Sequence, residues 1–344
     1  MRAETSPPFG GAELPRLRVL PVVLFAAVVV ICFALAPASP ERLTLNGGAD
    51  AAMVLASPVM LLFAAPGIAC GAFLLLFSRT AVVLALIPVT GAAAFALNRD
   101  WLTSLFAMLL FLPAFLLCRL LAIEMARTAA ICRLSVCCGA VGVPALYAAI
   151  ARVYGIAAPG ALLDALLADW TALLASMQVQ VNGEAHLLFG EEQSTQIVQL
   201  LLVLLPGLAL LLCNAMAWLA QGLALLLFRI HGLGRLVTPA MRVLTLSRAG
   251  AIVFLIGCVG SVLFGTGDTI GFAEAVSLNL VVLLEPPFIL LGASTLVGFF
   301  RTRESVNGFT LAILMLALLT CNLSVLLLIV ACVGAWKAIR KQKS

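Results

Sequence analysis

Long apolar runs without charged residues recur along the whole chain, and they limit the possible fold more than any other feature. Hydrophobic residues make up 64% of the 344 residues, charged residues only 10%, and the mean hydropathy is +1.19. A soluble domain would need a polar surface, whereas a bilayer core about 30 Å thick requires apolar segments of about 20 residues. The sequence therefore predicts an integral membrane protein.

Nine apolar runs are long enough to cross a bilayer. They are continuously apolar rather than alternating, so they favour helices that satisfy their own backbone hydrogen bonds, not the strands of an outer-membrane barrel. The predicted fold class is all-α, a polytopic bundle of about 9–10 membrane segments with Pro-kinked helices. The runs are Leu17–Ala36, Ala51–Phe77, Ala81–Leu97, Leu102–Ile123, Leu134–Tyr154, Ile197–Phe228, Ala249–Gly265, Ala275–Phe300 and Gly308–Trp336, and five of them contain the six prolines Pro58, Pro66, Pro88, Pro113, Pro144 and Pro206.

The basic residues orient the predicted bundle, because cationic loops stay in the cytoplasm more readily than they are translocated. An N-terminus inside places most arginines on the cytoplasmic side, including those of the loop 229–248. The segment 155–196 has no Lys or Arg and is predicted to lie outside, with an amphipathic helix over Gly160–Gln178 that caps the bundle or acts as a lid. The chain is thus one membrane domain, 17–336, between the tails 1–16 and 337–344.

Two alternatives stay open near the ends of the chain. The first run resembles a secretory signal, but its length and the bundle that follows favour an uncleaved first helix. Nine crossings would place the basic tail Lys337–Ser344 outside, against the distribution of the other basic residues. We therefore favour a hairpin that breaks around Cys321–Leu323 and returns the tail to the cytoplasm, with a single long tilted helix as the alternative.

Glu285 is the most unusual residue in these runs. No other charged residue lies between Glu274 and Arg301, and Pro286 and Pro287 follow it directly. An acidic residue at the bilayer centre costs about 2.5–3.5 kcal/mol, so we expect it to face the protein interior or water. The prolines remove two amide donors and are expected to break the helix, which would free carbonyl groups for a ligand. The alternative is a neutral acid that only holds helices together.

Three amides accompany Glu285 as candidate ligand-binding residues. They are Asn214 and Gln221 in the sixth run and Asn279 in the eighth. Each can also hydrogen-bond across helices as packing glue, because water is scarce at this depth. Gly67 and Gly71 form a G-x-x-x-G pair that allows two helices to approach closely.

The remaining residue types argue against several classes of function. Most of the ten cysteines lie inside apolar runs and none forms a C-x-x-C pair, which indicates small buried side chains rather than disulfides or metal ligands. Only two histidines are present, so an H-E-x-x-H zinc site is impossible. The net charge of +5 follows from membrane topology, not from binding nucleic acid. We expect no cofactor, no metal and no enzymatic activity.

The C-terminal half carries a resemblance to a known family. The stretch Asn279–Leu284, the stretch Pro287–Gly292 and the ending Phe299–Arg301, with Leu204–Gly207 before them, resemble the YybS-like family of bacterial membrane proteins of unknown function. The resemblance implies a bundle related to the substrate-binding subunits of energy-coupling-factor transporters. Those subunits bind small molecules and dock on partners through an A-x-x-x-A spacing, which the first run here lacks.

These observations predict a protein of the bacterial cell membrane with its N-terminus in the cytoplasm. Its expected function is small-molecule binding related to transport, without its own ATPase but with possible ATPase or other membrane subunits as partners. The alternative is a structural or regulatory scaffold whose Arg-rich cytoplasmic face, Arg229–Arg248, recruits proteins or anionic lipid. An enzyme acting on lipid is a third possibility, weakened by the lack of a paired nucleophile and base.

Overall fold

The structure of the protein is a computed structural model that describes residues 19–36, 61–77, 80–156, 158–176, 178–181, 184–187, 190–242, 246–264, 270–302 and 323–340. Helices dominate these residues, and the predicted all-α class is confirmed. The chain divides into two units, Met1–Leu202 with Ala209–Leu244, and Val203–Leu208 with Thr245–Ser344.

The helices follow the predicted apolar runs closely. In chain order they are α1 Val19–Leu35, α2 Ala64–Phe77 after a 3-10 turn at Leu61–Phe63, α3 Thr80–Asn98, α4 Trp101–Leu109, α5 Phe111–Ala122, α6 Arg127–Tyr154, α7 Pro159–Ser176, α8 Glu191–Ile230, α9 Pro239–Arg242, α10 Arg248–Phe264, α11 Phe272–Thr302 and α12 Leu323–Arg340. A second 3-10 turn, Gly234–Leu236, precedes α9.

Five segments within the described residues are long and apolar enough to cross a membrane. They are Ala81–Asn98, Trp101–Ala122, Arg127–Arg152, Glu192–Ile230 and Phe272–Ala293, and three shorter apolar segments accompany them at Val19–Leu35, Leu61–Phe77 and Arg248–Phe264. The described part of the chain is therefore that of a helical membrane protein. The predicted total of 9–10 segments depends in part on 37–60 and 303–322, which lie outside the described residues.

Glycines and aromatic rings bring α1, α2 and α5 together in the first unit. A Cβ on Gly67 would stand 2.6 Å from the Phe33 ring of α1, and one on Gly71 would stand 3.1 Å from Ala114 of α5. Phe33 in turn packs edge-on against Phe111, with ring centroids 4.9 Å apart. The predicted close approach at the G-x-x-x-G pair is thus confirmed, because side chains of neighbouring helices occupy the space that a larger residue would need.

Two sets of contacts show at which end of the first unit its charged segments lie. At one end, Phe73 of α2 packs against Phe25 of α1 and against Phe228 and His231 of α8, with centroids 5.1–5.6 Å apart. At the other end, Arg152 of α6 pairs with Asp100, which precedes α4. The residues that follow Phe228 and the segment after Tyr154 consequently lie at opposite ends of the unit.

The amphipathic helix predicted over Gly160–Gln178 is present as α7. Leu162, Leu166 and Trp170 are spaced one turn apart and are all buried, while Leu163 and Asp164 between them are exposed. The Tyr154 hydroxyl at the end of α6 donates a hydrogen bond to Asp169 over 2.8 Å. Burial and the Asp169 carboxylate both raise the pKa of Tyr154, so this hydroxyl stays protonated.

An antiparallel hairpin follows α7 and was not among the predicted elements. Its strands are β1 Gln178–Val181 and β2 Glu184–Leu187.

Asp100 caps α4 and sits in a charged network. Its carboxylate accepts 2.7 Å hydrogen bonds from the amide and the hydroxyl of Thr103, and it pairs with Arg152 at 2.7 Å. Burial acts to raise the pKa of Asp100, but the Thr103 hydrogen bonds and the Arg152 charge outweigh it and leave the pKa below its usual value. A lowered folded pKa adds stability above the unfolded pKa of about 3.9, and this stability disappears as the pH falls further.

We expect Asp100→Ala to lower the free energy of unfolding by about 1–2 kcal/mol at neutral pH, because α4 loses its cap and Arg152 its partner. The difference from wild type should shrink below about pH 4, where the wild-type carboxylate becomes protonated. Thermal unfolding in detergent at the two pH values measures both effects. Asp164→Ala, at an exposed position on α7, is the control and should change neither. A pH-independent difference for Asp100→Ala would contradict the prediction.

In the second unit α11 packs against both α10 and α12. Successive contacts run in opposite directions along the paired helices, so α10 and α12 are each antiparallel to α11. The contacts are Phe254 with Phe288, Gly257 with Leu280 and Gly260 with Ser277 for α10, and Gly334 with Phe288 and Gly292 with Val330 for α12.

The direction of α12 corrects the favoured hairpin. A hairpin that returned the basic tail to the side where α11 ends would make the last helix parallel to α11. Instead α12, which begins at Leu323, runs antiparallel to it, as the single long helix of the alternative would. The close approach of Gly334 to the Phe288 carbonyl belongs to this antiparallel packing. Most of the predicted break lies outside the described residues.

Candidate functional site

Glu285 lies near the middle of the 31-residue helix α11, far from both polar ends. Its side chain is half-buried, neither enclosed in the core nor fully exposed. The carboxyl group is close enough to the thiols of Cys258 on α10 and Cys332 on α12 to interact with both electrostatically. All three residues belong to the second unit, so Glu285 lies on the side of α11 that meets α10 and α12.

The predicted break at Pro286 and Pro287 is wrong, because α11 continues through both prolines. The fixed φ of proline is compatible with a helix, and each proline removes only the one hydrogen bond that its own amide would donate. The carbonyl groups of Val282 and Leu283 therefore have no backbone amide donor at positions 286 and 287. Helices packed on two sides of α11 hold this turn in place. Glu285 therefore precedes a continuous helical turn that lacks two backbone hydrogen bonds, not a break in the helix.

A tightly packed apolar floor lies one turn beyond Glu285. Phe288 is 1% exposed, and its ring centroid is 5.1 Å from that of Phe254. Ala331 and Ala335 of α12 complete this buried cluster. The helical turn that follows Glu285 is therefore anchored in a buried apolar cluster.

The Glu285 carboxyl group has no hydrogen bond or ion pair with any residue that the structure describes. No cluster of three His, Cys, Asp or Glu side chains suited to a metal ion occurs within the described ranges. Acidic residues inside membrane helices usually pair with a partner or line a path for ions or substrates. A half-buried carboxyl group without a protein partner can bind a cation, a proton or a hydrogen-bond donor.

Asn279, by contrast, has its hydrogen-bonding capacity occupied by the protein. Its Oδ1 accepts a 2.6 Å hydrogen bond from the amide of Gly207, and its Nδ2 donates to the carbonyls of Val203 at 2.9 Å and Ala275 at 2.7 Å. The carboxamide therefore bridges a backbone pair next to Pro206 of α8. This geometry fits helix packing, and it leaves no donor on Asn279 for a ligand.

Asn214 and Gln221 belong to the first unit and have different surroundings. Asn214 accepts a 3.3 Å hydrogen bond from the Ser135 hydroxyl of α6. Gln221 is 1% exposed, and neither polar atom of its amide has a partner among the described residues. The four predicted site residues thus divide into two pairs, one in each unit, and Glu285 and Gln221 are the two whose polar groups have no hydrogen-bond partner at all among the described residues.

Sequence reasoning missed two features of these regions. The glycines Gly257, Gly260, Gly292 and Gly334 set the packing around Glu285, and the spacing G-x-x-G in α10 could have indicated this. The Arg127 guanidinium of α6 lies over the Trp218 ring of α8, 5.4 Å from its centroid, and no spacing in the sequence indicates this contact.

The fold and these residues define a polytopic helical membrane protein with an acidic residue inside one of its membrane helices. Comparison with protein-family models, curated proteins and solved structures gave no match.

Proposed function

We propose that the protein binds a small molecule inside the membrane and takes part in its transport, without an ATPase of its own. The observation that carries this proposal is the Glu285 carboxyl group, which is half-buried in the middle of α11 and lacks a partner among the described residues. Placing an acid there costs about 2.5–3.5 kcal/mol, and a purely structural role would favour a partner that repays this cost. Asn279, on the same helix, has such partners.

The chemistry of the site suggests the class of ligand. An ionised carboxyl group in apolar surroundings favours a cation or a cationic amine, while a protonated one favours a polar molecule that both donates and accepts hydrogen bonds. The carbonyl oxygens of Val282 and Leu283 accept no hydrogen bond from Pro286 and Pro287, so they are additional acceptors within one turn of Glu285. The ligand is therefore a small molecule with a positively charged or hydrogen-bond-donating group.

The resemblance to the YybS-like family supports the same proposal. It implies a substrate-binding subunit in a bacterial cell membrane, with its N-terminus in the cytoplasm and an energising ATPase supplied by partner subunits. No catalytic role is proposed for any residue. The proposal requires neither a cofactor nor a metal of the protein's own.

Native mass spectrometry of protein released from lipid nanodiscs tests the proposal. Wild type should carry a stoichiometric small molecule, and Glu285→Gln, which removes the charge but keeps the shape, should lose it. Glu274→Gln is the matched control, because Glu274 is a half-buried acid in the first turn of the same helix. It should retain the ligand. Wild type without a small molecule, or equal ligand on Glu285→Gln, would contradict the proposal.

The same spectra address the scaffold alternative. Its supporting observation is that Arg229, Arg235 and Arg248 are exposed. A scaffold would bring down a partner protein through these arginines, and Glu285→Gln would leave that partner in place. An ATPase subunit that accompanies a small ligand would instead support the transport proposal.

A further inference from the structure

Gln221 combines deep burial with two unused polar atoms. Its side chain is 1% exposed, and its amide nitrogen and oxygen have no hydrogen-bond partner within the described ranges. Each buried group left unpaired costs about 1–3 kcal/mol. Asn214, two turns earlier on α8, does have a partner in Ser135. The amide of Gln221 is therefore available to a bound molecule that can both accept and donate a hydrogen bond.

Gln221 lies on the face of α8 that packs inside the first unit. The same face carries Cys213, whose Sγ lies 3.8 Å from where a Cβ on Gly142 of α6 would stand. Further along it carries Phe228, which packs against Phe73 and Phe77 of α2 with centroids 5.5 and 5.4 Å away. The amide thus falls between the contact of α8 with α6 and its contact with α2.

A tryptophan that stacks with an arginine lies one helical turn before Gln221 on α8. Trp218 precedes Gln221 by one helical turn, and the Arg127 guanidinium lies over the Trp218 ring at 5.4 Å. Both side chains are half-buried. Arg127 begins α6, at the end of the first unit where Arg119 and Arg229 are exposed. Paired arginine and tryptophan side chains are typical of the level where lipid headgroups meet the hydrocarbon.

We propose that Arg127, Trp218 and Gln221 form a binding site for the headgroup of an anionic lipid. The guanidinium binds the phosphate, whose oxygens also accept from the amide nitrogen of Gln221, and a headgroup hydroxyl donates to the amide oxygen. Phosphatidylglycerol has both kinds of group. The exposed side chains of Leu219 and Leu226 on the same helix offer an apolar surface for acyl chains, which a free phosphate would not use.

Lipid titration of the delipidated full chain in detergent, followed by native mass spectrometry, tests the site. Wild type should bind one phosphatidylglycerol at concentrations where phosphatidylcholine does not bind. Arg127→Gln and Gln221→Leu should each weaken this binding about tenfold, as expected for a lost hydrogen bond to a charged group. Arg133→Gln, at an exposed arginine farther along α6, is the matched control and should bind like wild type.

Two further readouts separate binding from folding. Without lipid, Gln221→Leu should melt at or above the wild-type temperature, because it removes an unpaired amide, yet it should gain less stability from phosphatidylglycerol. Arg127→Lys keeps the charge and should recover part of the affinity that Arg127→Gln loses, so the Arg127 pair decides the outcome if Gln221→Leu does not fold. Wild-type affinity in Arg127→Gln, equal binding of phosphatidylcholine, or displacement by inorganic phosphate would each overturn the proposal.

Discussion

Gly334→Ala is expected to lower the free energy of unfolding by about 3 kcal/mol, the upper part of the range for adding a methyl group to a packed core. The new Cβ would overlap the carbonyl oxygen of Phe288 and stand 2.8 Å from the amide nitrogen of Gly292. Both are backbone atoms of α11, so neither can turn aside as a flexible side chain would. The helices must separate, and the contacts of Phe288 with Ala331 and Ala335 weaken with them.

Gly222→Ala is the matched control for this substitution. Gly222 also lies inside a helix, α8, but a Cβ there would meet nothing within 4 Å. Because alanine favours helices more than glycine does, the control should be neutral or more stable by up to about 1 kcal/mol. Unfolding by SDS titration from mixed micelles, followed by circular dichroism, measures both. Equal midpoints for the two variants would show that the helices do not pack as closely as the structure has them.

Gly292→Ala acts on the same helix crossing from the other side. Its Cβ would overlap the Val330 carbonyl oxygen of α12. Once one methyl group has separated the helices, the second meets less resistance, so the double variant should lose less stability than the two single losses added together. Additive losses would indicate two independent contacts instead of one crossing.

The sequence predicted most helices well because membrane helices are selected for length and hydropathy, which are local properties. The first run, Leu17–Ala36, appears as Val19–Leu35. The run Leu102–Ile123 is divided at Leu110, because Pro113 cannot donate to the carbonyl that ends α4. The hairpin after α7 was overlooked, although Asn182-Gly183 is a strong hairpin-turn signal.

The candidate site could be predicted only in part. Glu285 stands out in any hydropathy profile, and its position within a membrane-length helix is confirmed. Its neighbours Cys258 and Cys332 depend on how three helices pack, which local patterns do not encode. The break predicted at Pro286 and Pro287 is wrong, because the sequence shows which amide donors are missing but not that neighbouring helices pack against the turn and hold it helical. The Arg127–Trp218 contact likewise joins residues far apart in the chain.

Replacing Asn279 is expected to cause the second large loss of stability, because its side chain supports a turn of α8 that Pro206 weakens. Pro206 has no amide hydrogen, so the Leu202 carbonyl of α8 lacks its usual donor. One residue further along α8, the Gly207 amide would normally donate to the Val203 carbonyl. Instead, the Asn279 carboxamide accepts from the Gly207 amide and donates to the Val203 carbonyl. Gly207 makes this possible, because a Cβ there would stand 2.5 Å from Asn279 Oδ1 and 3.2 Å from Asn279 Cα.

Asn279→Leu should lower the free energy of unfolding by about 2–3 kcal/mol, because it leaves one amide and one carbonyl of α8 without this partner. Asn214→Leu is the matched control, as it removes an asparagine with a single 3.3 Å hydrogen bond from Ser135. We expect that loss to stay below about 1 kcal/mol. SDS-induced unfolding in micelles measures both variants.

Gly207→Ala tests whether Asn279 acts through the backbone of α8. Alone it should lose at least as much stability as Asn279→Leu, because its methyl group collides with Asn279 and also displaces the carboxamide from both backbone groups. Combined with Asn279→Leu it should add little, since the interaction it disrupts is already gone. Additive losses, or an Asn279→Leu variant as stable as Asn214→Leu, would mean that the carboxamide does not support this turn. Stabilisation of α8 would then have to come from the apolar contacts of its neighbouring helices alone.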